Sequence, residues 1–379
     1  MVVLEFLAAT LIVTSTVTSG VLAVEGPFGF GSGTTGGASA AQAIPTSAAE
    51  LKSWLEDNTP RNILLDRAYD FTDTEGSIDG EGCKSWTCSP SPQLAINTMN
   101  WCSASTPKVP ITYKKAGTSG IMVGSNKTIL GKGTSGWIKG KGLKLQGSNN
   151  VIIRNVRISD INPQFVWGGD AISMQGATNV WIDHNYFKSI GRQFIVTHFE
   201  PNVNVTISNN YFDGESAYST GCDNHHYWAF LMLGKDDQMT FARNYGRGPH
   251  IGGPANNSQT LHMFNNYFDD ITGHALDTGI GAKVLLEGNH FNAVKTPSTG
   301  NADGAAFAPI SPSMSAKCLE KLGRNCVSNT LTGSGSLTNT EKSEALNSFT
   351  ADVVKNVSIM DSSEVKAYVL ANAGTGKLN

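Results

Sequence analysis

Two arginines and one aspartate have the chemistry to stabilise developing negative charge. Arg247 lies in the segment RGPH, on a tight turn beside a glycine-rich loop, Asp170 lies in WGGDAI, and Arg192 lies in SIGRQFIV. A guanidinium group can stabilise charge that builds on an oxygen atom during a reaction, and a carboxylate can orient the guanidinium. The alternative is that each is a solvated loop charge. A site requires a fold that brings these distant segments side by side.

A short internal repeat predicts such a fold. The six copies are NVIIRNVRI, NVWIDHNYF, NVTISNNYF, QMTFARNYG, TLHMFNNYF and KVLLEGNHF, and their first apolar residues are Val151, Val180, Val205, Met239, Leu261 and Val284. The steps between these residues are 29, 25, 34, 22 and 23 positions. Unequal steps around a short recurring strand are typical of a solenoid with variable loops, whereas the blades of a propeller need four strands each.

Aligned polar and aromatic residues of the repeat favour an all-β parallel β-helix. Five copies carry an Asn five positions after the first apolar residue, and four carry a Phe two positions later: Asn185, Asn210, Asn244, Asn266 and Asn289, with Phe187, Phe212, Phe268 and Phe291. Stacked coils would align them into an Asn ladder and an aromatic stack. An antiparallel sandwich is the alternative, but it gives no aligned Asn. The fourth copy departs from the pattern, with Gly246 in place of Phe.

Both ends of the chain predict a short helix. Ser47-x-x-Glu50 reads as a capping box ahead of an amphipathic run, and Asp361-x-x-Glu364 precedes a similar run near the end. No domain boundary is visible between these helices. We therefore expect residues 24–379 to form one domain with short helices at both ends.

The first 23 residues predict a signal peptide. They are apolar and rich in small residues, and Val21 and Ala23 stand at the positions that signal peptidase prefers. A membrane anchor is the alternative, but the run is rich in Thr and Ser and shorter than the ~20 strongly apolar residues of a span. No later segment has that character, so we expect a secreted, extracellular protein that is not bound to a membrane.

The charge and the cysteines agree with an exported globular protein. The 379 residues include 28 basic and 31 acidic ones without a Lys/Arg block, so we expect no nucleic-acid partner. Six cysteines are expected to form disulfides outside the cell, and 15 pairings are possible. A zinc site is disfavoured because no CxxC or finger spacing occurs. Glycosylation is predicted at the sequons of Asn126, Asn204, Asn256 and Asn356.

Several segments together resemble a known family. WGGDAI, VWIDHNYFKSIGRQ, CDNHHYW and GRGPHIGG, joined to NNYFDDITGHALDTGIGAKVLLEGNHF, resemble the pectin lyases of the pectate lyase superfamily, polysaccharide lyase family 1. The resemblance covers essentially the whole chain after the signal. It implies a right-handed parallel β-helix that cleaves highly methyl-esterified homogalacturonan, a pectin, by β-elimination to 4,5-unsaturated oligogalacturonate methyl esters. We expect the enzyme to be a monomer.

The resemblance also implies the roles of the charged residues. Arg247 matches the arginine that abstracts the proton, Arg192 would hold the carbonyl oxygen, and Asp170 would orient the arginines. His250 stands where the family often has Lys or Arg. The reference pKa of arginine lies far above neutral pH, which argues against a base. Either nearby cations such as Arg192 lower it, or Arg247 acts as an electrostatic stabiliser.

The resemblance implies catalysis without a metal or any other cofactor. Calcium-dependent pectate lyases add two carboxylates to the aspartate, but the matching positions here are Arg192 and Val196, and calcium needs about six to eight oxygen ligands. A calcium pectate lyase is therefore disfavoured. A polygalacturonase would hydrolyse through paired carboxylates, for which no matching set is found. A pectin-binding protein without activity would lack the cleft arginines.

Tryptophans and cysteines complete what the resemblance implies. Substrate-binding aromatics would be Trp86, Trp101, Trp167 and Trp228, and the disulfides would be Cys83–Cys102, Cys88–Cys222 and Cys318–Cys326.

Two further motifs, Asp183-His184 and His225-His226, look like catalytic or metal pairs. They lie in the repeat frame without a third ligand, so packing and hydrogen bonding are the favoured interpretation.

Overall fold

Three parallel sheets run along one stack of coils in the computed structural model, which describes residues 26–378. The predicted signal peptide, 1–23, lies outside these residues. Sheet A contains Gln42–Ala43, Arg61–Leu65, Lys127–Gly131, Asn149–Arg154, Thr178–Asp183, Val203–Ser208, Asp237–Ala242, Gln259–Phe264, Ala282–Glu287 and Ala305–Phe307. Sheet B contains Ile121–Met122, Leu143–Gln146, Ile172–Gln175, Ile195–Thr197, Phe230–Met232, Pro249–Ile251 and Asp277–Thr278. Sheet C contains Ala68–Asp70, Trp137–Lys139, Arg157–Ile161, Tyr186–Ile190, Tyr211–Phe212, Tyr245–Gly246, Tyr267–His274, His290–Thr296 and Thr330–Thr332.

Each coil passes from sheet A to sheet C and then to sheet B, which is the path of a parallel β-helix. A small mixed sheet, sheet D, lies beside the coils and contains Ser77–Cys83, Leu94–Ile96, Lys108–Lys114 and Phe165–Val166. The α-helices are Ala48–Glu56, Pro312–Ala316, Leu319–Leu322, Asp352–Lys355 and Ser362–Asn372, and the 3-10 helices are Gly29–Gly33, Thr98–Asn100, Lys115–Thr118 and Ser343–Ser348. Within residues 26–378, no helix has both the length and the apolar character needed to cross a membrane.

The predicted repeat register is confirmed in sheet A. Val151 pairs with Val180, Val180 with Val205, and Val205 with Met239, and the pairing continues through Leu261 to Val284. All of these side chains are buried in the interior of the coils. Neighbouring coils thus bury one another's apolar residues, as the repeat predicted.

An Asn ladder is present at the turn from sheet A to sheet C. The side-chain oxygen of Asn210 accepts hydrogen bonds from the backbone N–H and the amide of Asn185, at 2.9 and 3.0 Å. The same pair of bonds joins the successive ladder residues Asn210, Asn244, Asn266, Asn289 and Asn329. Each amide also donates to a backbone carbonyl of sheet A, so these buried turns keep their polar groups paired.

The aromatic stack follows the ladder and is interrupted at one coil. Phe187 stacks on Phe212 with ring centroids 4.9 Å apart, and Phe268 stacks on Phe291 at the same distance. Between them, Gly246 has φ +119°, and a Cβ atom there would lie 2.3 Å from the carbonyl oxygen of Phe212. The exception in the fourth copy therefore marks a turn that requires glycine.

The two predicted helices are present. Ser47 caps the helix Ala48–Glu56 by accepting from the N–H of Glu50, but Glu50 bonds back to Thr46 instead of closing the box on Ser47. Leu51 and Leu55 of this helix are fully buried against the first coils. Asp361 caps the helix Ser362–Asn372, which packs on the outer face of sheet C. At the far end of the stack, Leu331 and Leu337 pack against the same core.

Candidate active site

The turns from sheet C to sheet B carry the three charged residues singled out in the sequence. Asp170 and Arg192 precede consecutive strands of sheet B, and Arg247 precedes the strand that lies two places further along. Adjacent strands are about 4.8 Å apart, so the turn of Arg247 is about 10 Å from the turn of Arg192. The solenoid thus aligns residues that are distant in sequence along one side of the molecule.

Asp170 and Arg192 form a bidentate ion pair. Nε and Nη2 of Arg192 donate to the carboxylate oxygens at 2.9 and 2.7 Å, and the N–H of Gln193 donates to the same carboxylate at 2.9 Å. The guanidinium lies over the ring of Trp167, 4.4 Å from its centroid. This geometry fixes the plane of the Arg192 guanidinium. In the described part of the chain, no hydrogen bond joins Asp170 to Arg247.

Arg247 is buried, with 7% of the residue exposed, and is not a solvated loop charge. It lines a cavity of about 180 Å³ together with Trp228, Phe230 and His274. Gly214 leaves room for it, since a Cβ atom there would lie 3.1 Å from Cδ of Arg247. Within residues 26–378 its guanidinium has neither a hydrogen bond nor an ion pair, so its donors are available to a ligand.

Burial lowers the pKa of Arg247 to about 10. The charges of Asp223, Tyr227 and Asp270 oppose this shift, but the loss of hydration outweighs them. The sequence suggested that neighbouring cations would be needed to lower the pKa. Removal from water has this effect without them.

His250 lies in the same cavity and is held by a carboxylate. Its Nδ1 is 2.6 Å from Oδ2 of Asp277, which also accepts a hydrogen bond from Thr299. Burial by itself would raise the pKa of Asp277, but the hydrogen bonds from Thr299 and His250 outweigh burial and lower it. With Nδ1 engaged by Asp277, Nε2 is the ring nitrogen that His250 can offer to a ligand.

The strands between the two arginines carry apolar side chains, of which Leu231 lines the cavity of Arg247 and Val196 is buried. Along sheet B, Ser173 pairs with Val196, Val196 with Leu231, and Leu231 with His250. Val196 occupies the position at which the sequence comparison expected a calcium ligand in calcium-dependent enzymes, and an isopropyl group cannot coordinate an ion. Across residues 26–378, no group of three or more His, Cys, Asp or Glu side chains is arranged to hold a metal ion.

The four tryptophans assigned to substrate binding lie together. Ring centroids are 6.2 Å apart for Trp86 and Trp101, 6.2 Å for Trp86 and Trp228, and 6.4 Å for Trp101 and Trp167. Trp228 lines the cavity of Arg247, and Trp167 supports Arg192. The cluster therefore forms one continuous aromatic surface beside both arginines.

Three disulfides have the predicted connectivity: Cys83–Cys102, Cys88–Cys222 and Cys318–Cys326. Trp86 lies between Cys83 and Cys88 in the chain, and Trp101 precedes Cys102. The first two disulfides thus anchor the loops that carry two of the tryptophans, and the second ties these loops to the coils.

Two supporting residues were missed or undervalued in the sequence. Nε2 of His226 is 2.8 Å from the backbone oxygen of Arg192, and burial lowers the pKa of this histidine to about 4, so the neutral ring donates there. Gln93 donates to the carbonyl of Gly191 at 2.7 Å and accepts from Nε1 of Trp228 at 2.9 Å. Both hold the turn of Arg192, and no spacing in the sequence marks them.

The histidine motifs have structural roles, as interpreted. Asp183 is buried and bonded to His184, Arg154, Ser208 and Asn209 on sheet A, away from the aligned charges. His225 contacts the backbone oxygen of Asp223 and the carboxylate of Asp270. Both pairs therefore take part in hydrogen bonds with neighbouring segments, which is the interpretation that the sequence favoured.

The four sequons differ in accessibility. Asn256 and Asn356 are exposed. The side chains of Asn126 and Asn204 are partly buried and hydrogen-bonded to Asn150 and Asn179, respectively. Glycosylation at all four stays a prediction.

Comparison with known proteins relates the whole chain to one family. The family model described as pectate lyase matches residues 4–378. "Probable pectin lyase F-2" of Aspergillus terreus is 47% identical over 98% of this chain and 78% of its own length. "Probable pectin lyase F" of Emericella nidulans is 44% identical over 100% and 81%, and "Probable pectin lyase A" of Aspergillus clavatus is 43% identical over 99% of each.

Solved structures of similar architecture support the fold. A pectate lyase studied for its substrate specificity and anti β-elimination mechanism superposes with a TM-score of 0.59 and 19% identity, over 93% of this chain and 97% of its own. A pectate lyase bound to a hexasaccharide gives 0.58 and 20%, with the same coverage. Together with the sheets described above, these likenesses confirm the parallel β-helix.

Proposed function

Because the chain belongs to the pectate lyase family, we propose that it is a pectin lyase that cleaves methyl-esterified polygalacturonate by β-elimination without a metal ion. The observation that carries this proposal is the lining between the two arginines. Leu231 lines the cavity, the neighbouring Val196 is buried beside it, and Arg192 occupies a position where a calcium-dependent enzyme needs a carboxylate. Such a lining suits a neutral methyl ester better than a carboxylate with its calcium ion.

The chemistry consists of proton removal from C5, charge development at the C6 carbonyl and departure of O4. A methyl ester makes the C5 proton more acidic than a carboxylate does. Arg247, with its pKa lowered to about 10, takes the proton. A C4=C5 double bond forms as the C4–O4 bond breaks, and O4 leaves with the bonding electrons.

Arg192 stabilises the charge that builds on the C6 oxygen. Its guanidinium is already oriented by the two hydrogen bonds that it donates to Asp170, so little reorganisation is needed during the reaction. His250, next to Arg247 in the cavity, contributes a further donor through Nε2 when that nitrogen carries a proton. The roles of Arg247, Arg192, Asp170 and His250 are all part of this proposal.

The substrate's sugar rings would rest on the tryptophan surface formed by Trp86, Trp101, Trp167 and Trp228. Aromatic rings bury large apolar faces at low conformational cost. We propose highly methyl-esterified homogalacturonan as the substrate and a secreted, glycosylated monomer as the active form. The three disulfides support secretion, because such bonds persist outside the reducing cytosol.

The test is incubation with highly methyl-esterified pectin while the ultraviolet absorbance of the new C4=C5 bond is followed. We expect absorbance to grow with time and to be faster on esterified than on fully de-esterified polymer. A faster rate on the de-esterified polymer would instead support a pectate lyase. New reducing ends without absorbance would indicate hydrolysis, and binding without either product would indicate a non-catalytic protein.

A further inference from the structure

A second cavity, of about 240 Å³, adjoins the Asp170–Arg192 pair. The side chains that the argument uses are Lys144, Trp167, Asp170, Ser173, Arg192 and His198. Lys144 pairs along sheet B with Ser173, which pairs with Val196, so the lysine lies two strands from Val196. At about 4.8 Å per strand, the strand of Lys144 is about 10 Å from that of Val196 and about 19 Å from the strand that follows Arg247. The cavity therefore lies on the same side of the coils, beyond Arg192.

Lys144 carries a charge without a counter-ion. Lys141, three residues earlier, is bonded to Glu75 at 2.7 Å, and the buried Lys127 is bonded to Asp57. Lys144, by contrast, has neither an ion pair nor a side-chain hydrogen bond in the part of the chain that the structure describes. The nearest carboxylate in the cavity, Asp170, is already engaged by Arg192.

Two neutral polar groups accompany this cation. Burial lowers the pKa of His198, with Arg192 and Lys144 adding to the effect and Asp170 opposing it, so the ring is neutral near pH 7. Within residues 26–378, neither this ring nor the hydroxyl of Ser173 has a hydrogen-bond partner. The ammonium group of Lys144 can pair with a carboxylate, and His198 and Ser173 can form hydrogen bonds with hydroxyl groups. The cavity therefore suits a carboxylate that is attached to a hydroxylated ring.

We propose that this cavity is a subsite for an unesterified galacturonate, whose carboxylate pairs with Lys144. The inference rests on the proposed function, because it takes the ligand to be a galacturonate polymer. Its consequence is a division along the groove. The reaction centre, which Leu231 lines, takes a methyl ester, while a unit further along the same chain is bound best as the free acid. Pectin that keeps some free acids then binds better than fully esterified pectin does.

The test measures binding of a fully de-esterified oligogalacturonate by the change in tryptophan fluorescence, to which Trp167 in the cavity wall contributes. We expect Lys144→Gln to raise the Kd by about two- to fivefold at low salt, the range for a partly exposed ion pair. The difference should shrink as salt is added, because salt screens the charge. Lys144→Arg keeps the charge and should bind close to wild type.

Lys132→Gln is the matched control, since this lysine is exposed in a turn from sheet A to sheet C, on another side of the coils. Thermal unfolding of each variant checks the fold. A Lys144→Gln protein that binds like wild type, or a Lys132→Gln protein that binds equally weakly, overturns the subsite. The lyase reaction is followed separately on fully methyl-esterified pectin. Absence of unsaturated product there rejects the proposed function, while the binding comparison still decides the subsite.

Discussion

The two turns that follow each other on every coil are built in opposite ways. At the turn from sheet A to sheet C, the same hydrogen bond repeats from Asn185 to Asn329: the backbone N–H of each ladder Asn donates to the side-chain oxygen of the next. These bonds pair the buried polar groups of the turn. At the turn from sheet C to sheet B, the coils carry different groups: Asp170 and Arg192 lie on adjacent coils, and Arg247 lies two coils further along. The first turn holds the coils in register. The second can therefore vary, and it leaves a buried guanidinium available to a substrate.

Arg247→Ala, at the turn from sheet C to sheet B, should have the largest effect on the reaction rate. If Arg247 takes the proton, the rate on methyl-esterified pectin falls by roughly 10²- to 10⁴-fold. The melting temperature should not fall, because the substitution removes a buried charge that has no ion pair within residues 26–378. Absorbance kinetics and thermal unfolding measure the two quantities. A folded variant with wild-type activity would contradict the assignment of the site.

Asn244→Ala tests the opposite turn. It removes the acceptor of the N–H of Asn210 and the donor to the carbonyl of Ile207, both in the buried ladder. Each unpaired buried group costs about 1–3 kcal/mol, so the free energy of unfolding should fall by about 2–6 kcal/mol. Denaturant unfolding measures this. The remaining folded protein should keep its rate, and the exposed Asn58→Ala should change neither property.

Asp170→Asn should lower the rate by about 10- to 100-fold. The amide keeps the shape of the side chain but removes the charge that holds both donors of Arg192, and hydrogen bonds to charged groups contribute about 1.5–3 kcal/mol. Steady-state kinetics on methyl-esterified pectin is the measurement. A fall in kcat with little change in KM agrees with orientation of Arg192 in the transition state. An unchanged kcat would show that this pair is only structural.

The pH dependence separates a base from an electrostatic stabiliser. With a pKa of about 10, the unprotonated fraction of Arg247 rises about tenfold per pH unit below that value. A base then gives a logarithmic rate that rises with a slope near one, after the uncatalysed elimination is subtracted. A stabiliser acts in its charged form, so its rate is level below about pH 10 and declines above it. Arg247→Lys complements this test, since it keeps a charge but loses the planar fork.

Removal of metal ions should not change the reaction rate. Arg192 and Val196 offer no oxygen ligand at the positions where calcium-dependent enzymes bind the ion, so excess chelator should leave the initial rate unchanged. The comparison is made on the same pectin with and without chelator. Lost activity that returns with calcium would contradict the proposal.

The sequence predicted the repeated turn better than the variable one. The five-residue spacing after each apolar residue located Asn185 through Asn289, because identical coils place identical residues in line. Asn329 extends the ladder but was missed, because it follows a long loop and its neighbours do not share the repeat. The handedness, the disulfide pairing and the roles of the charged residues came from the resemblance to a family, whereas the break in the repeat at Gly246 had already marked Arg247 as a candidate.

The variable turn depends on contacts that no spacing encodes. The burial of Arg247 arises from Trp228, Phe230 and the space left at Gly214, all on other turns or coils. The support of Arg192 by His226 and Gln93 likewise joins segments that are distant in the chain. The low pKa of Arg247 therefore could not be read from its own segment, although its place beside the exceptional Gly246 could.

The helix Ala48–Glu56 has a consequence beyond the single molecule. A stack of parallel strands is a template for its own extension, because each terminal strand exposes a row of unpaired backbone groups to any strand that approaches. Here, at the beginning of the stack, Leu51 and Leu55 of the helix are buried against the first coils, and the edge strand Gln42–Ala43 of sheet A is two residues long. A second molecule could add its coils there only after displacing this helix. The helix thus covers the end of the stack and prevents the coils of another molecule from extending it into a fibre.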